Sequence, residues 1–127
     1  MTAQDAIHPS LASGRWRTFS LAEQLGNVGS DFDRAVRAKT QGRTERSMAA
    51  LDRTLELLDL TANDPRWRGP RRREILRARE QVCRVFFDDT AEPDLASYLQ
   101  KYFLQFALAA RRDVGRSKEV AIKYPGQ

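Results

Sequence analysis

Apolar residues recur at three- and four-residue steps in four separate stretches of the chain, which is the period of an amphipathic α-helix. Ser20 and Glu23 form a capping box that starts the first helix, and Pro70 suits the first turn of the third. Gly115 is placed to act as the C-cap residue of the fourth. The patterns predict helices over about 20–39, 44–61, 70–88 and 93–115.

The predicted fold is all-α, an antiparallel four-helix bundle, because no stretch alternates with the period of a strand and the connections are short. A chain of 127 residues fits a single domain. We predict a flexible arm over 1–15, the bundle over 16–115 and a polar tail over 116–127. Gly26 and Gly29 fall inside the first helix, where glycine costs about 1 kcal/mol relative to alanine. Their presence there favours close packing by another helix.

Few residues of this chain suit membrane insertion, metal binding or acid–base catalysis. No apolar run approaches the roughly 18 residues of a membrane span, and the N-terminus lacks the basic-then-apolar order of a signal peptide. We therefore expect a cytoplasmic protein that does not enter a membrane. The single cysteine, Cys83, cannot form an internal disulfide, and the single histidine, His8, lies in the predicted arm. The sequence thus predicts no metal, no cofactor and no catalytic residue.

The positive charge of the chain is concentrated in one segment. Residues 66–84 carry eight arginines and two glutamates, a net charge of +6, whereas the whole chain carries +5. The remainder of the chain therefore sums to a charge of −1. Arg71, Arg72 and Arg73 occupy the first turn of the third predicted helix, where positive charge opposes the helix dipole at about 0.3–1 kcal/mol per close charge. Such an arrangement favours a binding role over a purely structural one.

Tryptophan lies between two arginines at two places in the sequence, and this combination suits phosphate contact together with base stacking. The alternative interpretation is a solvated basic loop in which each tryptophan covers the core. On the first interpretation the nucleic-acid-binding residues are Arg66, Trp67, Arg68, Arg71, Arg72, Arg73 and Arg77. A possible second contact is formed by Arg15, Trp16 and Arg17.

Acidic residues share one edge of the second predicted helix, at four- and three-residue steps. Either they form a carboxylate site inside the bundle, or they pair with arginines to hold neighbouring helices in register. The spacing implies no metal-selective geometry and favours the structural interpretation. The predicted ion-pair network comprises Arg34, Asp52, Arg53, Glu56, Asp59, Arg79 and Glu80.

Four motifs, SLAEQLGNVGS, LELLDLT, RARE and YFLQFALAAR, give the chain a resemblance to a family of small all-helical bacterial and archaeal proteins of uncharacterised function. The resemblance spans about residues 16–112 and implies a helical fold; Gly26 and Asp31 depart from the family pattern. In architecture and charge the chain also resembles the basic four-helix-bundle accessory proteins of diversity-generating retroelements. This second resemblance is at the level of fold and implies an oligomeric bundle that binds nucleic acid.

These features lead to three hypotheses. In the first, the protein is a non-enzymatic homo-oligomer that binds RNA or DNA, another polyanion, or a nucleoprotein complex through the arginines at the start of the third helix. In the second, it is a protein–protein adaptor or structural subunit whose arginines meet an acidic partner surface. The third is an enzyme that uses carboxylates inside the bundle, with Asp52, Glu56, Asp59 and Arg79 as its candidate residues.

Overall fold

The computed structural model describes the backbone of residues 14–123 and the side chains of residues 14–115. The predicted arm before Gly14 and the last four residues of the predicted tail lie outside this range. Within it the chain is all-α, with four helices and no strand. The helices are α1 (Leu21–Thr40), α2 (Thr44–Ala62), α3 (Pro70–Phe87) and α4 (Leu95–Lys123). The predicted fold class is therefore confirmed.

The helix starts follow the local chemistry that the sequence contains. Ser20 Oγ accepts a hydrogen bond from the backbone N–H of Glu23 at 3.1 Å, and Glu23 Oε1 accepts one from the backbone N–H of Ser20 at 2.9 Å. This capping box satisfies two N–H groups that have no partner within the helix, and it fixes the start of α1. Pro70 is the first residue of α3, as predicted.

The predicted end of the fourth helix at Gly115 is wrong, because α4 continues to Lys123. A glycine C-cap requires a positive φ, and Gly115 is not among the described glycines that have one. A Cβ at Gly115 would meet no described atom within 4 Å, so no contact within residues 14–115 requires a glycine there. Since residues 116–123 are helical, the boundary predicted at residue 116 does not divide the helix from a separate tail.

The four helices pack in a ring in which α1 contacts α2 and α4, and α3 contacts the same two helices less extensively. Glycines allow α4 to approach α1 closely. A Cβ built on Gly29 would lie 2.5 Å from Cβ of Phe103, and one built on Gly26 would lie 3.0 Å from Cα of Ala107. The predicted close packing at both glycines is confirmed, and the pairing of these positions shows that α1 and α4 are antiparallel.

The core lies mainly between α1, α2 and α4, and α3 contributes only Ile75, Ala78 and Val82 as fully buried residues. Phe32 occupies its centre, in edge-to-face contact with Phe103 at 5.8 Å between ring centroids. Because the helices alternate in direction, the start of α1, the end of α2 and the start of α3 meet at one end of the bundle. No helix in the described part of the chain is long and apolar enough to cross a membrane.

Candidate functional site

The two Arg-Trp-Arg triplets, far apart in sequence, lie at the same end of the bundle and are joined by one buried side chain, Gln24 of α1. Gln24 is 0% exposed. Its Nε2 donates to the carbonyl oxygen of Trp16 at 2.9 Å and to Asp64 Oδ2 at 3.1 Å. Its Oε1 accepts from Trp67 Nε1 at 2.7 Å. Gln24 thus holds the segment before α1 against the segment that connects α2 to α3.

Trp16 is fixed by a second bond from the same network. It belongs to a short 3-10 helix, Arg15–Thr18, and its Nε1 donates to Thr61 Oγ1 near the end of α2 at 3.0 Å. Thr61 in turn donates to the carbonyl of Leu57, so its hydroxyl both accepts and donates a hydrogen bond. We call the five residues whose polar groups meet here the Gln24 network. They are Trp16, Gln24, Thr61, Asp64 and Trp67.

Asp64 is the charged member of the Gln24 network, and its carboxylate is buried. It accepts from the backbone N–H of Arg66 at 3.0 Å, and its Oδ2 accepts from Arg66 Nη2 at 2.7 Å. The hydrogen bond from the Arg66 side chain lowers the pKa of Asp64 to about 2, although burial opposes this shift. Arg66 Nη2 also donates to the carbonyl oxygen of Phe19 at 2.7 Å. Arg66 therefore ties the two segments together a second time, at the protein surface.

The prediction that the two tryptophans offer stacking surfaces is corrected by their burial. Trp16 is 2% exposed and Trp67 is 9% exposed. The guanidinium groups of Arg66 and Arg71 lie over the Trp67 ring, at 4.4 and 5.6 Å from its centroid. This is the alternative that the sequence left open, in which tryptophan covers the core with cation–π support from arginine. Arg66 is committed largely to Asp64, and it is a structural residue of the site.

The remaining predicted arginines of this end are exposed, and none of them forms an ion pair with a carboxylate of residues 14–115. We call this group the arginine end. It consists of Arg15, Arg17, Arg68, Arg71, Arg72 and Arg73.

Arg77 lies one helical turn beyond the arginine end on α3, and it is also exposed. Two further cations were missed from the sequence. Arg111 and Arg112 are exposed, and they lie one turn beyond Ala107, the residue that packs on Gly26 near the start of α1. Their place beside this end depends on the antiparallel packing of α4, and no local pattern reveals it.

The predicted ion-pair network is found in part. Arg79 Nε lies 2.8 Å from Asp59 Oδ1 and links α3 to α2, as the structural interpretation requires. Asp52 and Glu80 are exposed and form no ion pair within the described residues, and Glu56 is half-buried.

The other two predicted arginines of the network, Arg34 and Arg53, meet at Asp31, which was not among the residues of the predicted network. Arg34 Nη1 and Arg53 Nε lie 2.9 and 3.6 Å from Oδ1 of Asp31. Asp31 is buried on α1, beside Phe32. An acidic residue on the inward face of a helix is the signal that could have identified it.

Among the described side chains, no group of three histidine, cysteine, aspartate or glutamate residues comes together to hold a metal ion. No protein-family model, no curated protein and no solved structure matches the chain. Both resemblances drawn from the sequence therefore stay predictions. What the site can bind is inferred from its own residues and their geometry.

Proposed function

We propose that this protein is a non-enzymatic nucleic-acid-binding protein that contacts the phosphates of RNA or DNA through its arginine end. The observation that supports this best is the convergence of exposed arginines from two distant segments on one end of the bundle. Each is without a carboxylate partner within the described part of the chain. Arginine suits this role because its planar guanidinium forms paired hydrogen bonds with phosphate oxygens.

The position of the arginines adds a physical reason for an anionic ligand. Arg71, Arg72 and Arg73 surround the first turn of α3, which contains no acidic residue. Their charges oppose the helix dipole and repel one another, so they make the free protein less stable. A phosphate backbone laid across them would neutralise both effects. The Gln24 network keeps the underlying backbone in one arrangement, so that few degrees of freedom are lost on binding.

Binding of this kind is strongly salt-dependent, because each neutralised phosphate releases condensed counterions. Fluorescence anisotropy with labelled single-stranded and duplex oligonucleotides, titrated over a range of salt concentrations, measures both affinity and slope. We expect the triple variant Arg71→Gln, Arg72→Gln, Arg73→Gln to bind roughly a hundredfold more weakly at low salt and to show a shallower salt slope.

A matched control removes the same charge from the opposite end of the bundle. Arg37, Arg43 and Arg46 are exposed at the end of α1 and the start of α2. Their replacement by glutamine should leave most of the affinity intact. If the two triple variants lost affinity equally, net charge alone would explain binding and the arginine end would not be the site. Unchanged binding by the first variant at low salt would overturn the proposal.

A protein partner is the second candidate function, and the outer face of α4 favours it. Leu104, Leu108 and Val114 each expose about half of their surface on this helix. Exposed apolar side chains of this kind are typical of protein–protein interfaces. Purification from the native cell separates the two candidates. A stoichiometric protein that stays bound after nuclease treatment would favour the adaptor, whereas nucleic acid that is lost at high salt would favour phosphate binding.

A further inference from the structure

A groove of about 330 Å³ runs between α3 and α4, and on α3 its lining begins at Glu74, the residue that follows Arg73. Its volume is at the lower end of the range for sites that hold small organic groups. The walls combine two tyrosine rings, one arginine, one amide and the Glu74 carboxylate, which accepts a hydrogen bond from Tyr102. This mixture suits a flat polar ring system better than an aliphatic ligand. The lining residues are Glu74, Arg77, Ala78, Gln81, Tyr98, Leu99 and Tyr102.

One wall of the groove is held in place by hydrogen bonding and packing. Tyr102 donates its hydroxyl hydrogen to Glu74 Oε1 at 2.7 Å, which joins α4 to α3. Its ring contacts Phe103 and Phe106 edge-to-face, each at 5.3 Å between centroids. Burial, aided by the Glu74 carboxylate, raises the pKa of Tyr102, so the phenol stays neutral. Tyr102 therefore acts as a fixed boundary of the groove.

Tyr98 lies one turn before Tyr102 on α4, but, unlike Tyr102, it is exposed to solvent. It is 64% exposed, and its ring contacts no other aromatic ring of the described residues. A large aromatic side chain that lines a groove and still faces water leaves its ring available to a ligand. When a base stacks on such a ring, replacing the ring by alanine weakens binding by about fivefold to a hundredfold.

Charge connects this groove to the arginine end. Arg73 and Arg77 are four residues apart on α3, so their side chains lie on the same face of the helix. Neither forms an ion pair with a carboxylate in residues 14–115. A strand whose phosphates contact Arg73 and then Arg77 would pass along the mouth of the groove. Gln81 also lines the groove. Its Oε1 accepts a hydrogen bond from Arg84 Nη1 at 3.1 Å, so its Nε2 is the group that can donate to the polar edge of a base.

We infer that the groove holds one unstacked base of a single-stranded nucleic acid, with its face against Tyr98 and its flanking phosphates on Arg73 and Arg77. This inference rests on the proposed function and narrows it to single strands. Bases in a duplex are already stacked and paired, so a base must be unpaired and unstacked before it can enter the groove. The protein should therefore bind single strands more tightly than a duplex of the same sequence.

The test compares Tyr98→Ala and Tyr98→Phe with wild type, using single-stranded RNA, single-stranded DNA and the corresponding duplex as probes. Tyr98→Ala should weaken single-strand binding about tenfold, since it removes one stacked base, and Tyr98→Phe should keep most of the affinity. Neither change should alter duplex binding. Leu104→Ala is the matched control, because Leu104 is 52% exposed on α4 and does not line the groove.

An abasic oligonucleotide gives an independent readout on the ligand side, because it keeps the phosphates and lacks the rings. Wild type and Tyr98→Ala should bind it equally. If Tyr98→Ala bound single strands as tightly as wild type, or lost single-strand and duplex affinity alike, the groove would not hold a base. That result would leave the arginine end in place, provided the Arg71–Arg73 variant still lost affinity. Wild-type protein that bound no nucleic acid at low salt would overturn both proposals.

Discussion

Helices α1 and α3 lie on opposite sides of the bundle and are built on different principles. Nine of the 20 residues of α1 are buried, and glycines bring it into direct contact with α4. In α3 only three of 18 residues are buried, and its exposed residues include four arginines, Arg71, Arg72, Arg73 and Arg77. The buried residues of α1 are Gln24, Leu25, Gly26, Val28, Gly29, Asp31, Phe32, Ala35 and Ala38.

This difference shows how a small protein can keep an unfavourable concentration of charge. The other three helices supply most of the buried apolar side chains of the core, so α3 does not need to bury as much apolar area as α1 does. The Gln24 network then fixes the position of the segment that leads into α3 by hydrogen bonds. Stability and charge are thus assigned to different helices, and the network between them couples the two.

The largest effect on stability is expected from Gln24, because its amide serves three buried groups at once. Gln24→Met keeps the approximate size of the side chain and removes its hydrogen bonds to Trp16, Asp64 and Trp67. Buried polar groups left without partners cost about 1–3 kcal/mol each. Partial compensation by Arg66 at Asp64 leaves an expected loss of about 3 kcal/mol in the free energy of unfolding, which denaturant titration measures.

The control for this variant is Gln105→Met on the exposed face of α4, which should change stability by less than about 0.5 kcal/mol. The thermal unfolding midpoint of Gln24→Met should likewise be lower than that of Gln105→Met. Equal stability of Gln24→Met and wild type would show that the two segments are joined by packing alone. In that case the buried amide would have no role in positioning the arginine end.

The next largest effect on stability is expected at the α1–α4 contact. Two glycine-to-alanine changes test it, one at the contact that should destabilise the protein and one away from it that should stabilise the protein. Gly29→Ala places a Cβ 2.5 Å from Cβ of Phe103, an atom near the backbone that cannot move without shifting α4. Overpacking of this kind costs about 1–3 kcal/mol, more than alanine gains in helix propensity. Gly115→Ala has open space around it and should stabilise α4 by up to about 1 kcal/mol. Thermal unfolding of both variants checks the two signs; stabilisation by Gly29→Ala would mean that α1 and α4 are separated more widely.

Local chemistry in the sequence predicted most of the helix boundaries. The capping box and Pro70 act over one turn, so they are readable without knowledge of the fold. Gly115 gave a wrong helix end because glycine occurs both as a C-cap residue and, as here, inside a helix. Only its φ in the folded chain distinguishes the two cases. The small residues of α1 were interpreted correctly because a glycine inside a helix has a cost that close packing can offset.

The site was predicted less well, because its organisation depends on contacts between distant residues. The arginines were identified from charge alone, and the structure leaves most of them exposed. Trp16 and Trp67 were placed on the surface in one interpretation because nothing near them in sequence indicates their partners. Those partners, Gln24 and Thr61, belong to other helices. A polar residue at an apolar position of α1 was the available signal for Gln24, and the same signal applied to Asp31.

A smaller effect tests the electrostatic part of the Gln24 network. The pKa of Asp64 is lowered from 3.8 to about 2 by its hydrogen bonds with Arg66. Since the folded-state pKa lies below the unfolded one, this stabilisation is fully present above a pH of about 4 and disappears as the pH falls towards 2. Its size is about 1–2 kcal/mol, reduced by the solvent exposure of Arg66. Asp64→Asn should therefore destabilise the protein near neutral pH and lose this difference in strong acid.

Measurement of unfolding free energy against pH for wild type and Asp64→Asn follows the difference directly. Asp52→Asn is the matched control, because Asp52 is exposed on α2 and has no ion pair among the described residues. Its difference from wild type should stay small over the same pH range. A difference at Asp64 that did not shrink with acidification would mean that packing, rather than charge, accounts for the loss.

The smallest expected change in stability has the opposite sign and bears most directly on the proposed function. Replacing Arg71, Arg72 and Arg73 by glutamine removes charges that oppose the dipole of α3, and it also removes the cation–π contact of Arg71 with Trp67 at 5.6 Å. Because Arg66 keeps the nearer contact with that ring at 4.4 Å, the variant should be as stable as wild type or up to about 1 kcal/mol more stable. Arg37→Gln, in the last turn of α1 where positive charge is favourable, should instead lose a few tenths of a kcal/mol. Chemical denaturation at low salt resolves the two signs best, because added salt screens both effects. Marked destabilisation of the triple variant would assign these arginines to the fold; a gain in stability together with a loss of nucleic-acid affinity would show that they are kept for binding.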